Sequence, residues 1–177
     1  MPVITPTDAW LKATPEVTSD TSNRSPGLLI QVYQQFSVAT NPRYTPRNGS
    51  TFCNIFVWDC TAAMGAEIPH WIAPDGSPVP QYKGTETNAN GMVDWLARYG
   101  AGFGWKPSGL KDALVYAQSG KPVVCVWRNV NGKPGHVAMM LPTTPGPRIA
   151  QAGGTCFFDR TLASGFGQLP VSLYVHD

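Results

Sequence analysis

The 177-residue sequence predicts an α+β fold. Apolar residues at helical spacing recur between residues 26 and 120, strand patterns take over from 122 to 175, and no internal repeat crosses the boundary. Gly and Pro, at 18 and 17 residues, punctuate both halves and imply a loop-rich domain. A hydrophobic content of 42% with six tryptophans excludes wholesale disorder, and no Gly-X-Y period points to collagen.

The elements follow in order. Residues 1–25 are rich in Thr, Ser, Pro and Asn, with little apolar material beyond Trp10 and Leu11, and read as an extended N-terminal arm before a single domain over 26–177. Ser25-Pro26 is an N-cap followed by proline at the first helical position, and Leu28, Leu29, Val32, Tyr33 and Phe36 carry the helix until it ends before Asn41-Pro42. A second helix is predicted from about Cys53 to Met64, closed by Gly65; Ile55, Phe56, Val57 and Trp58 make it apolar on most sides and hence central. Residues 66–87 form a long, proline-rich loop of the kind that often carries function. Asn88 or Asn90 caps a third helix through Tyr99, and Ser108 a fourth that closes near Gly120. Strands are predicted at 122–127, 136–141, 148–151 and 171–175, with Asn131-Gly132 as the hairpin turn between the first two. Helices first and an antiparallel meander second is the α+β order.

Charge narrows the function classes. A net charge of +2 is too small to predict a nucleic-acid partner, and Arg43 and Arg47 read as solvated loop charges. No apolar run reaches membrane-helix length, so no membrane insertion is expected. The N-terminus lacks the basic and apolar regions of a signal peptide; the chain is expected to be made in the cytosol, to lack its leader, or to leave by another route. Cys53, Cys60, Cys125 and Cys156 show no zinc-ligand spacing and do not form a disulfide scaffold, so neither a metal nor another cofactor is expected.

Chemistry concentrates at three positions. Cys53 opens a buried helix, where the N-terminal dipole favours a thiolate and first-turn N–H groups can receive an oxyanion. His136 begins a strand directly after a Gly-containing hairpin, a suitable place for a general base at a cleft edge. Gln151 lies on the following strand, from which its amide oxygen can reach the imidazole and fix its tautomer. Around them, Asn54 and Tyr44 are candidates for the oxyanion site or its hydrogen bonds, and His70 and Trp71 for lining the substrate cleft. Cys60 and Cys125 read as core residues, and Asp59, six residues after Cys53, as the partner of a loop or basic side chain.

The order of Thr51-Phe52-Cys53-Asn54-Ile55-Phe56-Val57-Trp58-Asp59, Gly135-His136-Val137-Ala138-Met139 and Ile149-Ala150-Gln151-Ala152-Gly153 resembles the NlpC/P60 and CHAP group of papain-like cysteine peptidases and amidases. The resemblance covers about residues 28–155 and departs from the commoner Asp-Cys-Ser-Gly start, having Phe52-Cys53-Asn54. It implies a papain-like core acting on amide bonds of peptidoglycan, as in phage lysins, wall-remodelling enzymes or antibacterial effectors. It assigns Cys53 as nucleophile, His136 as base and Gln151 as orienting group, in a monomer that meets the bacterial cell wall after secretion, injection or release through a holin. Two alternatives stay open: a non-catalytic binding or structural module that keeps the fold, and a cysteine acyltransferase on a related fold.

Overall fold

The computed structural model describes residues 8–177. Its mixed architecture is α+β, with antiparallel sheets. In chain order the elements are α1 (Pro26–Gln34), α2 (Cys53–Ala63), β1 (Trp71–Ile72), β2 (Thr85–Glu86), α3 (Ala89–Arg98), a 3-10 turn (Gly100–Phe103), β3 (Trp105–Ser108), α4 (Leu110–Gln118), β4 (Val123–Trp127), β5 (His136–Leu141), β6 (Arg148–Gln151), β7 (Phe157–Thr161), α5 (Leu162–Phe166) and β8 (Ser172–His176).

Six strands form the main sheet in the order β3-β8-β4-β5-β6-β7, and β1 pairs with β2 in a separate ribbon. The predicted meander is the run β4-β5-β6, which β7 continues. The last strand does not extend the meander; it inserts between β3 and β4. Alternation along β5 splits the core in two. Val137, Met139 and Leu141 join the cluster beneath α1, α2 and α3, whereas Ala138 and Met140 join the cluster shared with α4 and α5. The sheet is therefore covered on both faces.

Local signals account for several ends. The Ser25 side chain accepts from the Leu28 N–H to cap α1, and Asn88 does the same for α3 through Gly91. Ser108 does not cap α4: Gly109 holds that position, and the Ser108 hydroxyl turns to the Gly109 carbonyl. Helix α2 is central, with ten of its eleven residues buried. Gly65 follows it at φ +62°, the left-handed conformation that glycine adopts without a Cβ clash.

The segment 8–25 carries no helix or strand, yet it is not a free tail. Ala9 and Ala13 are buried in the core. The Gln35 side chain accepts from the N–H groups of Glu16 and Val17, and the Arg43 guanidinium donates to the carbonyls of Asp8 and Leu11. Residues 1–7 of the expected arm lie outside the described residues.

Arg43 also corrects the expectation of a solvated loop charge. Its side chain is fully buried and bonds Asp59 through Nε at 2.7 Å and Nη2 at 2.9 Å. Such a charge leaves water only when its partner and carbonyl acceptors satisfy the fork. Arg47 is half-buried and lies 3.9 Å above the Phe52 ring.

Candidate active site

Cys53 is the first residue of α2. Phe52 precedes it with no side-chain cap, so the first-turn N–H groups have no side-chain acceptor there. Cys53 is 4% exposed, and burial pushes the pKa of its thiol up. The backbone N–H groups of Val137, Asn54 and Cys53 act in the opposite direction but do not win. This corrects the expectation of a resting thiolate: desolvation outweighs the helix N-terminus, and the resting group is the thiol.

The Val137 N–H places the sulfur against the start of β5, next to His136. His136 Nε2 stands 2.7 Å from Gln151 Oε1. The Gln151 amide nitrogen donates to the Thr155 carbonyl at 3.0 Å, which fixes the orientation of that amide. The oxygen therefore faces the ring, Nε2 carries the proton, and Nδ1 keeps the lone pair that a base needs. Burial lowers the His136 pKa, against a smaller raising effect of Gln151.

His136 and Gln151 are thus brought together directly. Cys53 meets the strand through the Val137 N–H and forms no hydrogen bond with the imidazole. A cleft of about 250 Å³ opens onto Cys53 and is also lined by Asn54, His70, Glu86 and Trp10; His136 and Gln151 are not among its lining residues.

Two further residues hold the His136–Gln151 pair. The Phe166 ring packs 4.8 Å from the His136 ring, at 52° to it. A Cβ at Gly165 would stand 2.3 Å from Gln151 Oε1, so this position admits only glycine while Gln151 keeps its place. Both belong to α5, a helix absent from the sequence reading. Its signal was Thr161, whose side chain accepts from the Ser164 N–H, followed by Leu162 and Phe166 four residues apart. From α3, the Asn90 side chain bonds Asn129 and the Lys133 carbonyl, fastening the hairpin that leads into β5.

The other expected residues divide. Asn54 lines the cleft, but its side chain donates to the Thr87 carbonyl at 3.0 Å and so does not serve as a free oxyanion donor. Tyr44 is not in the cleft: its hydroxyl donates to Asp59 at 2.7 Å, deep in the core beside Phe56. Trp71 is buried, with its ring against His70 and its indole N–H donating to the Trp10 carbonyl. Trp10 takes the cleft position instead, and its indole N–H donates to Glu86 Oε1 at 2.7 Å. Cys60 and Cys125 are core residues, and Cys156 is half-buried with its sulfur donating to the Tyr44 carbonyl.

Among the described residues no cluster of three or more His, Cys, Asp or Glu side chains could hold a metal ion, and no helix is long and apolar enough to cross a membrane. No protein-family model matches the chain, and no curated protein does.

Proposed function

We propose that the chain is a cysteine-dependent amide hydrolase of papain-like design that acts on peptidoglycan. The observation that carries this reading is the Gln151-oriented imidazole of His136 directly before Val137, whose N–H meets the Cys53 sulfur. The substrate class rests on the resemblance of the three segments around Cys53, His136 and Gln151 to peptidoglycan-cleaving cysteine peptidases and amidases.

In this mechanism the scissile carbonyl enters the cleft at the uncapped start of α2. His136 Nδ1 takes the thiol proton as the sulfur attacks, and the carbonyl π electrons move to oxygen, where first-turn N–H groups stabilise the charge. Collapse breaks the C–N bond, and the imidazolium gives its proton to the leaving amine. Water, deprotonated by His136, then attacks the thioester; the acid leaves and the thiol returns. Since both groups are neutral at rest, proton transfer accompanies attack instead of preceding it. A Cys53–His136 hydrogen bond forms only with substrate present, as catalytic geometry in unliganded sites commonly completes on binding.

The test is digestion of purified peptidoglycan with mass spectrometry of the products. Cys53→Ala should abolish release while leaving the fold intact. His136→Ala lowers turnover by about a hundred- to ten-thousandfold, the range of general acid–base catalysis. Release at the wild-type rate by Cys53→Ala would overturn the reading.

A further inference from the structure

We propose that Glu86, backed by His70 and walled by Trp10, forms a subsite for a primary ammonium group. The inference rests on the hydrolase reading only in taking that ammonium to belong to the substrate.

His70 is a buried imidazole with one unpartnered nitrogen. The His70 side chain is 1% exposed, and its Nε2 makes no hydrogen bond. Nδ1 lies 3.1 Å from the Thr87 carbonyl, which can only accept, so Nδ1 carries the proton. Asn54 Nδ2 approaches the same nitrogen at 3.4 Å but donates to the Thr87 carbonyl at 3.0 Å. Nε2 is left as a lone pair. Burial lowers the His70 pKa, which keeps the ring neutral at pH 7.

Glu86 Oε1 stands 3.4 Å from that lone pair. Two acceptors so close, one of them anionic, repel each other unless a donor joins them. The Trp10 indole N–H reaches Oε1 from the side at 2.7 Å and satisfies one acceptor direction, while the Glu86 side chain remains 46% exposed. Glu86 is also the only Asp, Glu, Lys or Arg side chain lining the cleft among the described residues. An anionic ligand group meets repulsion here, and a neutral amide leaves the carboxylate uncompensated. An ammonium supplies positive charge and several N–H donors for the two acceptors. The cleft of about 250 Å³ also contains Cys53, so the ammonium and the scissile carbonyl belong to the same or neighbouring residues of the ligand.

The experiment uses the full chain carrying Cys53→Ala and follows the Trp10 indole N–H resonance, which reports directly on Glu86. Three probes are titrated: alanylalanine amide with its free α-amine, Nα-acetyl-lysine amide with a free side-chain amine, and N-acetyl-alanylalanine amide with none. At least one amine-bearing probe should shift the resonance to saturation, and which one does so identifies the source of the ammonium. The acetylated dipeptide should not. Glu86→Gln, checked for a folded spectrum, should weaken amine binding about ten- to hundredfold, as loss of a charge-assisted bond does. Equal binding of the acetylated probe, unchanged affinity in Glu86→Gln, or no saturable shift with any probe would overturn the subsite. Those results would leave Cys53-dependent hydrolysis standing, and a failed lysis assay would leave this titration unaffected.

Discussion

His136 Nε2 and Gln151 Oε1 stand 2.7 Å apart, although fourteen residues and a turn separate them along the chain. The β5–β6 register sets Met139 opposite Ala150 and Met140 opposite Ile149, which brings the two side chains to one end of the strand pair on one face. The imidazole is therefore oriented before any ligand arrives, and the open question for chemistry is how firmly that orientation is held.

Gly165 is the sharpest probe of it. Gly165→Ala puts a methyl group into the space of Gln151 Oε1 and should displace the amide from the ring. Turnover should fall as far as in Gln151→Ala, with KM little changed and a shifted imidazole N–H resonance. Gly154→Ala, where a Cβ would meet nothing within 4 Å, is the control. Full activity in Gly165→Ala would show that the pair does not govern catalysis.

Thiol reactivity should follow the raised pKa of Cys53, which burial causes. Alkylation by iodoacetamide, mapped by mass spectrometry, should be slow at Cys53 near neutrality and rise into the alkaline range. Cys60 and Cys125, both pushed upward by burial, should stay unlabelled in the native chain. A Cys53 rate already at its plateau near pH 6 would instead indicate a preformed thiolate.

Acid should destabilise the fold through its buried imidazoles. Burial lowers the His70 and His136 pKa values from their ordinary 6.5. Above 6.5 neither the folded nor the unfolded chain protonates them, so they leave stability unchanged. As pH falls below 6.5 the unfolded chain binds protons that the folded one refuses, and stability drops until the lowered folded values are passed. Urea unfolding midpoints should therefore decrease from pH 7.5 to pH 5.5, and less steeply in His70→Gln. A midpoint that stays level in the wild type would contradict this.

The buried Arg43–Asp59 pair should be sensitive to removal of one member. Arg43→Ala leaves the Asp59 carboxylate without its guanidinium and frees the carbonyls of Asp8 and Leu11. A loss of about 3–5 kcal/mol is expected from urea unfolding, the usual cost of stranding one buried charge. Replacing both by Leu should cost less. Loosening the segment around Trp10 should also weaken ligand binding in the cleft.

Much of this architecture is written locally. Ser25-Pro26 and Asn88 announce their helices because a cap and its first turn lie within a few residues of each other. The apolar runs at 123–127 and 136–141 announce strands for the same reason, and the order Cys53, His136, Gln151 is visible without coordinates. Strand β3 is not, since Trp105-Lys106-Pro107-Ser108 lacks alternation and becomes a strand only by pairing with β8 at the sheet edge.

Residue types, spacing and caps alone are enough to establish the α+β class, the central helix that begins at Cys53 and the hairpin that delivers His136. Tertiary structure decides what surrounds those groups. Trp10 meets Glu86 across 76 residues, Arg43 becomes a core residue through Asp59, Tyr44 turns away from the cleft, and α5 closes behind Gln151. It also decides the protonation state of Cys53, because a helix N-terminus is a local feature whereas burial is the summed effect of distant chain. Local propensity acts over a few residues; the cleft and its charges arise from contacts between segments far apart in the chain, which no window of sequence contains.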